Sequence, residues 1–187
     1  MDASPSPLDQ AQRDLLLSKI RDIPDWPQPG VTFKDITPLL GDATAFATAI
    51  EGLAAAGRDD QGQPTVDSVV GIEARGFILA APVAHILRAS FVPARKAGKL
   101  PYKTASVSYE LEYGEETIEV HEDAFRPGAR VLVIDDVLAT GGTVEATAKL
   151  VSVAGAELVA VSVLMAIGFL RGRERVSNLE LRVLLDV

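Results

Sequence analysis

Hydrophobic and polar positions follow two alternating periods along this chain. The clearest stretch is 131–134 (VLVI), four branched apolar residues in a row. Such a run reads as a strand buried on both faces, as in a parallel sheet with helices on either side. Before it, Leu8, Ala11, Leu15 and Leu16 share one face of a helix. Ser6 is the expected cap of that helix, with Pro7 in its first position and Asp9 three residues after the cap; Pro24 bars its continuation. Phe46, Ile50 and Leu53 repeat at helical spacing after a cap at Asp42, and Gly57 is expected to close that helix in a left-handed turn. Residues 58–65 read as a loop and 66–72 as a strand. A helical run then extends to about Ala89, in which Pro82 fits only near the start. Residues 91–94 form a short strand. Residues 106–112 and 117–121 alternate, predicting a two-stranded flap over 109–120 with Tyr113 and Gly114 near its tip. A helix over 144–154 buries Val144, Ala148 and Val151 and ends at Gly155. A strand over 158–167, a turn over 171–175 and a last strand over 179–185 complete the chain.

Composition narrows the class. At 187 residues the chain is one domain with room for a sizeable core. It has no cysteine, hence no disulfide framework or thiolate metal site, and its two histidines make a His-rich metal site a poor expectation. No apolar run is long enough to span a membrane. The first ten residues, MDASPSPLDQ, lack the basic and apolar segments of a signal peptide, so a cytoplasmic location is expected. A net charge of -8 argues against general nucleic-acid binding.

Candidate chemistry gathers after the apolar strand. Asp135 and Asp136 follow it directly, then the turn Ala139, Thr140, Gly141, Gly142, Thr143 opens a helix. Ligands of open α/β sheets bind at that edge. A turn with two glycines brings backbone N–H groups close to a ligand, and a helix N-terminus favours an anion such as phosphate. The acids suit hydroxyl donors or a cation. A sugar phosphate with vicinal hydroxyls carries all these features. A Walker-B strand also ends in acids, but the GxxxxGK[ST] partner it needs is absent. A second strand–loop–helix unit places Arg75 at the same edge, and Arg suits phosphate oxygens. Arg95, Lys96, Lys99 and Lys103 put four positive charges in nine residues without an acid, enough to draw a polyanion to an acidic protein. Pro24, Pro27, Pro29 and Pro38 stiffen a segment too apolar, at Trp26, Val31, Phe33 and Ile36, to be a solvated tether. His85 reads as a packing residue of its helix, and His121 has no assigned role.

These motifs carry a resemblance. VLVIDDVLATGGT resembles the phosphoribosyl-diphosphate (PRPP) binding motif of the type I phosphoribosyltransferases. The resemblance implies that Asp135 and Asp136 hold the ribose hydroxyls and that Ala139, Thr140, Gly141, Gly142 and Thr143 hold the 5′-phosphate. GIEARGF is similar to the family's pyrophosphate loop, implicating Ala74 and Arg75. RKAGKLP is similar to a basic segment in which Arg95, Lys96 and Lys99 would contact pyrophosphate, partly across a homodimer. PDWPQPGVTFKDITPLL resembles the hood of the adenine enzymes, where Val31, Thr32 and Phe33 would hold the base; many relatives have Arg where this chain has Lys34. SYELEYG resembles the catalytic loop, with Glu112 as general acid or base and Tyr113 packing over the closed site. GFLRGRERV follows the family's tail in rhythm without assignable chemistry. The implied fold is a type I phosphoribosyltransferase α/β domain over 1–187: a twisted, mainly parallel sheet flanked by helices, a hood at about 24–40, a core at about 41–187 and a flexible flap at about 100–121. The implied activity is transfer of the phosphoribosyl group from PRPP to adenine, giving AMP and diphosphate. Mg2+ would act through the diphosphate and ribose, with Asp135 and Asp136 the candidates for any direct contact. The alternatives are transfer to a 6-oxopurine (hypoxanthine, guanine or xanthine), or a PRPP-binding regulator without turnover.

Overall fold

A computed structural model describes residues 7–111 and 114–187. Helix α1 (Gln10–Ser18) begins at Asp9, whose carboxylate accepts the Gln12 N–H while the Gln12 side chain accepts the Asp9 N–H. The cap is therefore Asp9; the expected cap, Ser6, lies outside the described residues. Leu8 and Leu16 are buried, but Ala11 is exposed, so the apolar face is narrower than expected. The helix ends at Ser18, well before Pro24, because the chain turns into β1 (Arg21–Ile23). β1 pairs antiparallel with β2 (Phe33–Asp35), and this small ribbon carries the proline-rich segment between its strands. The Trp26–Pro27 peptide is cis. Short helix α2 (Thr37–Leu40) leads to α3 (Ala43–Ala54), capped by Asp42 as expected. Gly57 does not make a left-handed stop. It lies in a 3-10 turn, and it is glycine for want of space: a Cβ there would sit 2.7 Å from Leu87 Cδ1.

Then follow β3 (Ser68–Ile72), α4 (Arg75–Leu87), β4 (Ser90–Lys96), β5 (Thr104–Leu111), β6 (Gly114–His121), β7 (Arg130–Leu138), α5 (Gly142–Val153), β8 (Glu157–Ala166), α6 (Gly172–Arg175) and β9 (Leu181–Asp186). Pro82 sits inside α4 rather than in its first turn. There it removes one backbone donor, a cost that the burial of Leu79, Val83 and Leu87 in the core offsets. His85 is on the exposed side of α4, so the packing role expected for it is not realised. The expected turn at 171–175 is mostly the short helix α6.

Among the described residues, seven strands form one sheet in the order β5-β6-β4-β3-β7-β8-β9. β4, β3, β7, β8 and β9 run parallel; β5 and β6 form the antiparallel hairpin expected as a flap, paired from Thr104 with His121 to Leu111 with Gly114. β7 is central and its apolar run divides by the period of two. Leu132 and Ile134 enter the core beneath α1, α3 and α4, whereas Val131 and Val133 enter the core beneath α5. Each face of the strand is thus buried, and this explains why the run is continuous instead of alternating. The ordering matters for chemistry: β3 and β7 are neighbours, so whatever follows either strand meets at one sheet edge.

Candidate active site

A cleft of about 530 Å3 opens at that edge. Its floor is Asp135, Asp136 and the turn from Ala139 to Thr143. Glu73, Ala74 and Arg75 bound one side, Trp26 and Phe33 of the proline-rich segment another, and Lys96, Tyr109 and Glu116 of β4 and the hairpin close the third.

The two aspartates are almost wholly out of solvent, 9% and 4% exposed. Asp135 accepts the backbone N–H of Asp136 at 2.9 Å. Burial pushes the Asp135 carboxyl well above its ordinary range, and the neighbouring Asp136 charge pushes it further. Burial also raises Asp136, opposed by the Arg75 cation. Arg75 Nη2 pairs with Asp136 Oδ2 at 2.7 Å. One cation against two buried carboxylates leaves acceptor capacity to spare, and acids arranged this way imply a partner that arrives from outside.

Arg75 also ties the ribbon to the floor. Its guanidinium donates to the Lys34 carbonyl at 3.3 Å and lies 4.7 Å from the centre of the Phe33 ring. Phe33 in turn meets Trp26 edge-on, with centroids 4.4 Å apart. Lys34 turns its side chain away to Asp22, 2.8 Å distant, so it contributes to this site through its backbone only. Gly76 has no room for a side chain: a Cβ would stand 2.9 Å from Asp135 Oδ1.

The cationic segment is less free than its sequence implies. Glu73 pairs with Lys99 and Arg95 and accepts the Lys96 N–H, and Glu116 pairs with Lys96. Burial opposes ionisation of Glu73, but the hydrogen bonds from Lys99 and the Lys96 backbone outweigh it and lower its pKa. The Lys96 hydrogen bond does the same for Glu116. The acids missing from 95–103 are supplied by β6 and by the loop after β3. Of the four cations named for a diphosphate, Arg75 and Lys96 line the cleft, while Arg95 and Lys99 stand behind Glu73.

The turn is shorter than expected, because α5 begins at Gly142 instead of Val144. Gly141 is the residue before α5 and adopts φ +83°, a conformation that favours glycine. No side chain caps α5, nor α4, whose preceding residue is Ala74; α1 and α3, whose starts lie elsewhere, are both capped by Asp. The two uncapped long helices start at the cleft, so their first N–H groups remain available to an anion. Tyr109 leans over the turn, with its hydroxyl 3.2 Å from Thr143 Oγ1 and donating to Glu116 at 3.0 Å.

Residues 40–184 match the sequence profile of the phosphoribosyl transferase domain. An adenine phosphoribosyltransferase of Nocardioides sp. is 58% identical over 171 residues, 91% of this chain and 92% of that protein. The solved adenine phosphoribosyltransferase of Rhodothermus marinus superposes with a TM-score of 0.89 at 48% identity, covering 96% of this chain and all of that one. That of Saccharomyces cerevisiae, solved with an imino-altritol bisphosphate and adenine, gives 0.88 at 32% identity over 95% of this chain and 100% of its own. The chain belongs to the adenine phosphoribosyltransferase family.

Within this family fold, the type I phosphoribosyltransferase architecture expected from the motifs, the cleft brings together Phe33, Ala74, Arg75, Lys96, Asp135, Asp136 and the whole turn from Ala139 to Thr143. Val31 and Thr32 are exposed on the ribbon and do not line it. Glu112 and Tyr113 lie outside the described residues. Sequence reasoning missed Trp26, Glu73, Tyr109 and Glu116 as cleft residues. Tyr109 and Glu116 pair directly in the hairpin register that sets Leu111 opposite Gly114, whereas the expected tip at Tyr113 and Gly114 would set Tyr109 opposite Ile118, so the pair escaped the sequence reading.

Proposed function

We propose that the cleft transfers the 5-phosphoribosyl group of PRPP to adenine, forming AMP and diphosphate. The observation that carries this reading is the uncapped start of α5 beside a buried aspartate pair that shares the Arg75 cation. One ribosyl phosphate satisfies both: its 5′-phosphate takes the N–H groups of Gly141, Gly142 and Thr143, and its vicinal hydroxyls donate to Asp135 and Asp136. Adenine bound in the yeast relative supports the choice of base. The base would stack on Phe33, with Val31 and Thr32 contributing backbone contacts from a hood of about 24–40.

Cleaving the anomeric bond builds positive charge on the ribose and negative charge on the leaving diphosphate. Asp135 and Asp136 anchor the ribose against that charge. Arg75 exchanges Asp136 for the diphosphate, and Lys96 follows as the anion competes with Glu116 for it. The aspartate pair fits Mg2+ carried in with the substrate, since that ion is held by one or two carboxylates plus substrate phosphates. Held there by Asp135 and Asp136, Mg2+ would supply charge neutralisation for the diphosphate. The flap of about 100–121 excludes water when it covers the ribose. The base loses its N9 proton as the bond to the anomeric carbon forms, Glu112 on that flap assists by a hydrogen bond at N7, and Tyr113 packs over the closed site. In this reading the enzyme is a cytoplasmic homodimer, with Arg95 and Lys99 reaching toward the neighbouring site.

Two measurements test it. Incubation with PRPP, Mg2+ and each purine base separately should yield nucleotide with adenine alone; equal or greater yield with hypoxanthine or guanine would overturn the base assignment. Glu112→Gln should lower kcat about 10²-fold or more with the KM for PRPP little changed. Near-normal turnover in that variant would remove Glu112 from the chemistry.

A further inference from the structure

After β8 the chain makes a 3-10 turn over Gly168–Leu170, passes Arg171 at φ +55° and enters α6. None of this segment lines the active cleft. Yet it touches the turn on which that cleft depends. A Cβ on Gly172 would stand 2.2 Å from the Ala139 carbonyl oxygen and 3.1 Å from the Gly141 nitrogen. Reciprocally, a Cβ on Gly141 would stand 2.9 Å from the Gly172 carbonyl oxygen. The two backbones are therefore in direct contact, with no space for a side chain between them. Three residues on, Arg175 covers the next position: its Nη1 lies 3.1 Å from where a Cβ on Gly142 would be. Glu145, in the first turn of α5, accepts the Arg175 Nε–H at 2.7 Å, and Lys149 pairs with the other carboxylate oxygen at 3.0 Å. Val176, fully buried, anchors the far end of α6 in the core beneath α5.

We infer that Gly172 and Arg175 are positioning residues for the 5′-phosphate turn. Gly172 sets the height of the Ala139–Gly141 backbone, and Arg175, oriented by Glu145, fixes Gly142 and the start of α5 from the side away from the ligand. An anion cradle made of backbone N–H groups works only if those groups stay aimed when empty, since ordering them at the moment of binding would cost affinity. The turn has two glycines and little side-chain packing of its own, so its rigidity must come from a neighbouring segment. The Ala139 carbonyl occupies the space a Gly172 side chain would need, which makes that dependence acute: any side chain there must displace either α6 or the turn. This inference rests on the phosphate-binding role given to the turn above.

The test uses Gly172→Ala, Arg175→Met, Arg175→Lys and, as a control in the same short helix, Arg173→Met, whose native partner is Asp186 on β9. Steady-state constants are measured for both substrates, ribose 5-phosphate binding by calorimetry, and folding by Tm. Gly172→Ala should raise the KM for PRPP about tenfold or more while the KM for adenine and kcat at saturating PRPP stay within about twofold. Arg175→Met should raise it several-fold, Arg175→Lys should recover part of the loss, and Arg173→Met should leave it unchanged. Unchanged KM for PRPP in the folded Gly172 and Arg175 variants overturns the inference. So does a parallel rise in both KM values, or an equal effect of Arg173→Met, because each would mark a merely structural disturbance. Should Gly172→Ala not fold, the Arg175 pair decides. Failure of the wild-type protein to bind ribose 5-phosphate would instead remove the phosphate role itself.

Discussion

Gly142→Val should raise the KM for PRPP about 100-fold, on the order of 3 kcal/mol, with the KM for adenine nearly unchanged. Gly142 opens α5 in the turn that the phosphate would occupy. A Cβ there would meet Arg175 Nη1 at 3.1 Å and the Tyr109 ring at 3.6 Å, and a branched side chain adds two further carbons between those groups. Valine would swing the first N–H groups of the helix away from the anion or push Tyr109 off the turn. Steady-state kinetics with each substrate varied in turn checks it. A KM for PRPP within about threefold of wild type would show that the turn holds no phosphate.

Asp135→Asn should make the protein more stable and much less active. Both effects follow from one buried pair. Burial and the adjacent Asp136 raise the folded-state pKa of Asp135 above its unfolded value. For an acid, that sign means the charged form is disfavoured in the fold. The contribution of Asp135 to stability is therefore most favourable below the ordinary carboxylate range near pH 4 and is lost as the pH rises through the raised value. Asparagine stays neutral, keeps an oxygen to accept the Asp136 N–H and removes this loss. Its Tm at pH 7 should exceed that of wild type, and the two should converge near pH 4. Loss of the charged acceptor for a ribose hydroxyl should lower kcat/KM for PRPP by about 2–3 kcal/mol, roughly 30- to 150-fold. Thermal melts across pH and kinetics on the same preparations test the two halves together. A variant that melts lower than wild type at pH 7 would contradict the electrostatic account.

The parts of this site that were legible in the sequence are those encoded by neighbours along the chain. Four branched apolar residues, two acids and a glycine turn are contiguous, so strand, clamp and cradle could be read together. The same holds for Arg75 at the start of its helix. What escaped depends on contacts between distant segments. The cations of 95–103 look unopposed until Glu73 and Glu116 arrive from other elements. Gly57 looks like a helix stop, but the space left by Leu87 explains it. Pro82 looks misplaced mid-helix until the buried residues around it are counted against the lost donor. Gly172 offered no signal at all, because its constraint is a carbonyl over thirty residues earlier in the chain.

The most direct measurement is calorimetric titration of the wild-type protein and Gly142→Val with ribose 5-phosphate, a ligand bearing the hydroxyls and the phosphate but neither base nor diphosphate. The account predicts saturable binding at one site per chain in the wild type and a loss of about 100-fold in the variant. Absence of binding in the wild type, or equal binding in both proteins, would contradict it.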